Sequence, residues 1–157
     1  MTEGLPEEPS ERVRAVLERI VEALGLEATV AVEEDDETIR GNVEVEDAGL
    51  LIGRHGQTID AVQLLCFQAA FRGLQDRKRV VVDAAGYRER RREMLVSRAD
   101  RAAEDALRAS KPVDLEPMSA QERRVVHDHL KDRPEVETYS EGDEPHRCVV
   151  VAPLVTD

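Results

Sequence analysis

"GLLIGRHGQTIDAVQ", Gly49–Gln63, sets three glycines and an Arg-His pair inside a strongly apolar frame. Gly53 and Gly56 bracket Arg54 and His55 where one apolar helical run ends and a longer one begins at Gln57. Glycine accepts tight-turn dihedrals and lacks the Cβ that would hold a phosphate away. Free backbone N–H groups at the start of the second helix bring partial positive charge to the same place. Arg54, and His55 when protonated, add charge without filling the gap. A bare G-x-x-G suits a plain helix-turn-helix joint equally well, so the flanking pattern has to decide.

Upstream, Ser10 as an N-cap predicts a helix from Glu11 to Leu24. Val13, Val16, Leu17, Ile20, Val21 and Leu24 fall at i, i+3, i+4, i+7 spacing, and Gly25 supplies the stop. The runs "ATVAVE" and "TIRGNVEVE" follow as two strands joined by the acidic turn "EDDE". In the second run Ile39, Val43 and Val45 share one face, with Arg40, Asn42, Glu44 and Glu46 on the other. Ala48 to Ile52 reads as a short helix. Gln57 to Phe71 reads as a longer one, apolar nearly all round and therefore expected to be central. "RVVVDA" is a third strand. The order so far is α-β-β-α-α-β.

From Tyr87 to Ala109 the pattern predicts one long arginine-rich helix with Leu95, Ala99, Ala102, Ala103, Ala106 and Leu107 on its apolar face. "KPVDLEPM" breaks it and supplies a short strand. Ser119 and Glu122 form an S-x-x-E capping box ahead of a helix that ends near Leu130. "VETYSE" and "RCVVVAPL" flank the turn "GDEP" as a hairpin. The second half is thus α-β-α-β-β. The expected fold class is α+β in two small domains: an acidic tail over 1–10, one domain over 11–86 and another over 87–157.

The 157 residues carry a formal net charge of −12, unevenly spread. Residues 1–50 are strongly acidic, residues 51–100 carry net +4, and the rest is acidic again. Of 22 basic residues only Lys78, Lys111 and Lys131 are lysines, and the arginine fork suits phosphate and stacks on bases. Genomic base composition or a salt-adapted surface would give the same bias. No run approaches the roughly 20 apolar residues of a membrane span, and "MTEGLPEEPSE" lacks the apolar core of a signal peptide. Cys66 and Cys148 share no metal spacing and read as reduced, buried thiols in a cytoplasmic protein.

A second constellation lies in "ERRVVHDHL". Arg123 and His127 stand four apart on one helix face, beside the buried stripe of Val126 and Leu130, with Arg124 adjacent. Such a pair holds a phosphate, or else Arg123 bridges to Asp128 or a neighbouring strand and His127 is an ordinary polar residue. His127 and His129 point apart and do not make a metal site. "RERRRE" at 88–93 is a basic docking strip or a solvated helix face, and "EGDEP" at 141–145 a turn. No nucleophile is paired with a base, and there is no P-loop or metal cluster, so neither an enzymatic step nor a cofactor is implied.

Residues 11–84 resemble a KH domain in the type II arrangement, with its G-x-x-G loop at Gly53, Arg54, His55 and Gly56. Residues from about 87 onward resemble the small single-strand-binding domain named for its Arg-x-x-x-His signature, carried here by Arg123 and His127. "LEPMSAQERRVVH" and "TYSEGDEPHRCVVVAP" are similar to stretches of the bacterial Jag (SpoIIIJ-associated) family, which joins the two domains in this order. Many members carry a further N-terminal Jag domain and linker, and neither is recognisable in this sequence. The resemblance implies binding of single-stranded RNA, or single-stranded DNA, by Gly53, Arg54, His55, Gly56 and Gln57 and by Arg123, Arg124 and His127. It also implies an RNA chaperone or post-transcriptional regulator linked to cell-wall growth and cell shape, and a small KH-only protein partner. The alternative is a protein-interaction module of a membrane-protein insertion or cell-elongation complex, with nucleic acid incidental. The overall acidity favours that alternative, because a negative field opposes approach to RNA.

Overall fold

The computed structural model describes Gly4 and residues 6–154. Part of the acidic tail expected over 1–10, and the last three residues of the segment expected over 87–157, lie outside the described residues. The chain forms two compact units that divide between Arg88 and Glu89.

The N-terminal unit contains α1 (Pro9–Ala23), β1 (Ala28–Glu34), β2 (Thr38–Val45), α2 (Gly49–Ile52), a 3-10 turn (Arg54–Gly56), α3 (Gln57–Ala70) and β3 (Arg79–Ala84). This is the expected α-β-β-α-α-β order. The start of α1 differs from the sequence expectation. Glu8 is the extended N-cap residue and Pro9 opens the helix, while Ser10 lies inside it and caps nothing. Proline at the first helical position costs no hydrogen bond there and its φ is already helical. The other end is as expected. With Gly25 at φ +65, its N–H donates to Glu22 O and that of Leu26 to Val21 O, both at 3.0 Å, a Schellman closure.

β2 is the central strand, antiparallel to β1 and parallel to β3. Its alternation puts Ile39, Gly41 and Val43 inward and Arg40, Asn42 and Glu44 outward. α1 and α3 cover the inward face, where Val13, Leu17, Ile59, Val62 and Cys66 meet Ile39, Val43 and Val82. The closest approach is at Gly41, where a Cβ would stand 2.6 Å from Leu17 Cδ1 and 3.4 Å from Val13 Cγ1. Arg12 then ties the two helices. Its Nη1 donates to Ala70 O at 3.1 Å and Arg72 O at 3.2 Å, closing carbonyls at the end of α3.

α3 is not buried all round. Ile59, Val62, Cys66 and Ala70 are buried, but Leu64 and Leu65 are 58% and 56% exposed. One sheet with one covered face makes a two-layer unit, so the far side of this helix meets solvent. Burial pushes the Cys66 thiol up to about 12. Cys148 departs from the expected burial and is only partly covered.

The division between units falls inside α4 (Tyr87–Ala109). The C-terminal unit continues with β4 (Val113–Asp114), α5 (Ala120–Leu130), β5 (Val136–Glu141) and β6 (Cys148–Pro153). Its sheet order is β4-β6-β5, antiparallel throughout. Leu95, Ala99, Ala102 and Ala103 from α4 join Val126 and Leu130 from α5 against Val136, Val149 and Val151. The capping box forms: the Glu122 N–H donates to Ser119 Oγ, and the Ser119 N–H donates to Glu122 Oε2. The other carboxylate oxygen accepts from Arg91 Nε at 2.7 Å, in a largely buried pair. Arg91 of "RERRRE" therefore anchors α4 to α5. No helix among the described residues is long and apolar enough to cross a membrane.

Filling the gap at Gly41 tests the two-layer packing. Gly41→Val should overpack the α1–β2 contact and cost about 1–3 kcal/mol, read as a lower urea midpoint. An unchanged midpoint would mean that α1 stands further from the strand.

Candidate nucleic-acid interface

The joint between α2 and α3 is built from three residues at positive φ within four positions. Gly53 stands at φ +71, His55 at φ +54 and Gly56 at φ +77. Gly53 is the C-cap of α2, its N–H donating to Gly49 O at 2.9 Å. Gly56 is the N-cap of α3 and offers no side-chain oxygen, so no side chain closes the first turn of that helix. Those first-turn N–H groups give the helix start its positive end.

Both glycines are required by neighbours inside the protein. A Cβ on Gly53 would come within 2.7 Å of Thr58 Cβ, and one on Gly56 within 2.8 Å of the Tyr87 ring. The missing side chains thus admit Thr58 and Tyr87 rather than a ligand, which changes the reason the sequence suggested for them. Gly56 is buried, while Arg54, His55 and Gln57 are not. Neither Arg54 nor His55 makes an ion pair among the described residues. The loop rests on Tyr87 and presents its cations outward.

Arg88 secures that support. Its Nε donates to Val82 O at 2.7 Å, its Nη1 to Asp60 at 2.9 Å and its Nη2 to Gln63 Oε1 at 3.0 Å. Gln63 also accepts from the Val82 N–H, so α3, β3 and the first turn of α4 share one network. Tyr87 and Arg88 are supports of the loop that the sequence reading missed. The only signal was their place just after the third strand. Elsewhere in the unit a groove of about 540 Å³ is lined by Glu27, Glu44, Glu46 and Asp83, a sign of charge that repels a polyanion.

In the C-terminal unit α5 does put Arg123 and His127 on one face, but each is already bonded. Arg123 is buried, only 8% exposed, and its Nη1 donates to Met118 O at 2.8 Å. Its Nη2 lies 2.7 Å from Glu144 Oε1, in the β5–β6 turn. The imidazole of His127 lies between two hydroxyls on β5, with Nδ1 2.7 Å from Thr138 Oγ1 and Nε2 3.1 Å from Ser140 Oγ. Burial, then the charge of Arg123, holds its pKa below the usual histidine value, against a smaller pull from Asp128. The ring is therefore neutral at pH 7, one nitrogen donating and the other accepting. Arg124 is exposed and only loosely paired with Asp128 at 3.7 Å. His129 turns the other way, to Asp100 on α4 at 2.8 Å.

The fold and the two loops define a two-domain chain, a KH-type unit followed by a small unit with an Arg-x-x-x-His helix. Residues 10–83 match the family described as "KhpA/KhpB, KH domain", and residues 93–153 match the domain family named for the Arg-x-x-x-His motif. The chain is 35% identical over 147 residues to RNA-binding protein KhpB of Bacillus subtilis (strain 168), covering 92% of this chain and 71% of that protein. RNA-binding protein KhpB of Clostridium symbiosum is 36% identical over 138 residues, 87% of this chain and 62% of the relative. RNA-binding protein KhpB of Lactiplantibacillus plantarum is 38% identical over 133 residues, 85% of this chain but 41% of the relative. The chain belongs to the KhpB family.

Gly56→Ala should cost about 1–3 kcal/mol through positive-φ strain and the Tyr87 clash. Tyr87→Ala in the same chain should relieve the clash alone, so the pair is expected to be non-additive in urea unfolding. Strict additivity would show that the ring does not touch the loop. The lowered pKa of His127 gives a second expectation. The unfolded chain takes up its proton first, near pH 6.5, so this histidine's contribution to stability is complete above that pH. It is lost as pH falls through the unfolded value towards the folded one. Melting temperature should decline between about pH 7.5 and 5.5, and His127→Gln should flatten part of that decline. An equal decline in both proteins would place the effect elsewhere.

Proposed function

We propose that the chain binds single-stranded RNA, with the Gly53–Gly56 loop as its principal phosphate contact. The observation that carries this reading is the pair of outward side chains Arg54 and His55, without an ion pair among the described residues, at the side-chain-uncapped start of α3 and mounted on a buried Gly56. Phosphate oxygens accept hydrogen bonds from the loop and first-turn N–H groups, including that of Gln57, while Arg54 adds a charge-assisted bond. Arg123, Arg124 and His127 form the second contact. Phosphate contacts of this kind position a strand without reading its bases, so single-stranded DNA is a competing ligand. The relatives' shared name, RNA-binding protein, supports RNA as the ligand class.

On this reading the protein carries out no reaction and works in the cytoplasm as an RNA chaperone or post-transcriptional regulator. The Jag resemblance supports a role in cell-wall growth and cell shape and a small KH-only protein partner. The protein-interaction alternative draws support from one observation, the exposure of Leu50, Leu64 and Leu65 around the same helices.

The double substitution Arg54→Asp, His55→Asp decides between them. Neither site is buried, so the protein should fold with an unchanged melting temperature. Affinity for a single-stranded oligoribonucleotide should fall about tenfold or more, since charge-assisted bonds contribute about 1.5–3 kcal/mol each. Unchanged affinity in the folded variant would remove the loop from the interface and leave the protein-binding reading.

A further inference from the structure

Among the described residues Arg123 is the one charged side chain in the buried set. A guanidinium in that position needs an acceptor at all times, because an unpaired buried charge is far more destabilising than the pair is stabilising. One acceptor, Met118 O, is fixed backbone. The other is the carboxylate of Glu144, whose side chain is 59% exposed on the turn between β5 and β6. Carboxylate and phosphodiester present the same kind of anionic oxygen to an arginine fork. A pair with one solvated partner is weak and exchangeable. Exchanging Glu144 for a phosphate leaves Arg123 satisfied throughout and costs the core nothing.

The surroundings suit an incoming phosphate. Ser140 and Thr138 place hydroxyls on His127 on the strand that leads into the turn. Arg123 is near enough to His127 to lower its pKa. Arg124 stands exposed on the next position of α5. The turn itself is held by Arg147, which donates to Gly142 O at 2.6 Å, and by the His146 N–H to Asp143 O at 2.8 Å. Neither bond involves the Glu144 side chain, so that side chain can leave Arg123 while the hairpin stays closed.

We infer that Glu144 occupies the place of a nucleic-acid phosphate on Arg123 and is displaced by the phosphodiester when a strand binds. Glu144 is then an affinity-setting residue, a built-in competitor for the second contact. The inference rests on reading Arg123 as a phosphate contact. It also predicts an unusual salt dependence: the phosphate releases a counterion, but the displaced carboxylate takes one up, and the two cancel.

The test uses the full chain and a fluorescent single-stranded oligouridylate. Glu144→Gln should bind about twofold to fivefold more tightly than the parent, the equivalent of one exposed ion pair. Its log-affinity against log-salt slope should steepen by about 0.7, the share of one phosphate on a single strand. Glu144→Asp keeps the net charge but shortens the reach, and should also tighten binding. Asp143→Asn, which removes a neighbouring charge not on Arg123, should give a clearly smaller gain. Equal gains from Glu144→Gln and Asp143→Asn would reduce the effect to general field and overturn the inference. So would a lower melting temperature with unimproved affinity in both Glu144 variants, the behaviour of a plain structural tie. Arg123→Lys separates the underlying reading. If it binds as tightly as the parent, Arg123 is not a phosphate contact. If it binds more weakly while the Glu144 variants show no gain, only the competitor role fails.

Discussion

The Tyr87 ring lies where the Cβ of Gly56 would be, and the geometry of the candidate interface depends on that contact. With the ring beneath it, the loop backbone is held at positive φ across His55 and Gly56. Held there, Arg54 and His55 turn to solvent and the first turn of α3 is left without a side-chain cap. Thr58 performs the same service behind Gly53. Left-handed backbone in a non-glycine residue such as His55 persists only where its surroundings over-determine it. Here the two glycines, Tyr87 and the Arg88 network supply that constraint. The residues that shape the loop are therefore not the residues that face a ligand.

The same separation governs the charge. A chain of net −12 approaches a polyanion only through local departures from its average. The arginine count overstates those departures. Arg12 closes carbonyls at the end of α3, Arg14 reaches Val30 O, Arg88 binds Val82 O, and Arg91 holds the capping-box glutamate. Five donors in a rigid fork make arginine a good partner for orphan carbonyls as well as phosphates. The arginine enrichment consequently serves the scaffold first. At the G-x-x-G loop the cations without an ion pair among the described residues are few, and their placement matters more than their number.

Much of the fold was legible because the signals were local. The capping box at Ser119 and Glu122, the Gly25 stop and the alternation along β2 each depend on residues close in sequence, and each formed. Errors came where the answer lay elsewhere in the chain or in a competing neighbour. Ser10 looked like a cap until Pro9 took the first helical position. The apolar sequence of α3 states its hydrophobicity but not how many layers will cover it, so exposure of Leu64 and Leu65 was not readable. The G-x-x-G and the Arg123–His127 spacing were visible as motifs. Their partners, Tyr87 behind the loop and Glu144 on the arginine, lie 31 and 21 positions away and are brought in only by the folded chain.

On the proposed reading the two contacts differ in kind. The N-terminal loop is open: its cations hold no ion pair among the described residues, and a phosphate meets a preformed backbone with little to displace. The C-terminal contact is closed, with its arginine buried and its histidine neutral between two hydroxyls. An open site suits first encounter, because exposed charge acts at a distance and costs no rearrangement. A closed site responds only to an anion already held nearby at high effective concentration, which is what covalent linkage to the first unit provides. Engagement of the second contact then follows from the first, and a strand too short to reach both is held by the loop alone.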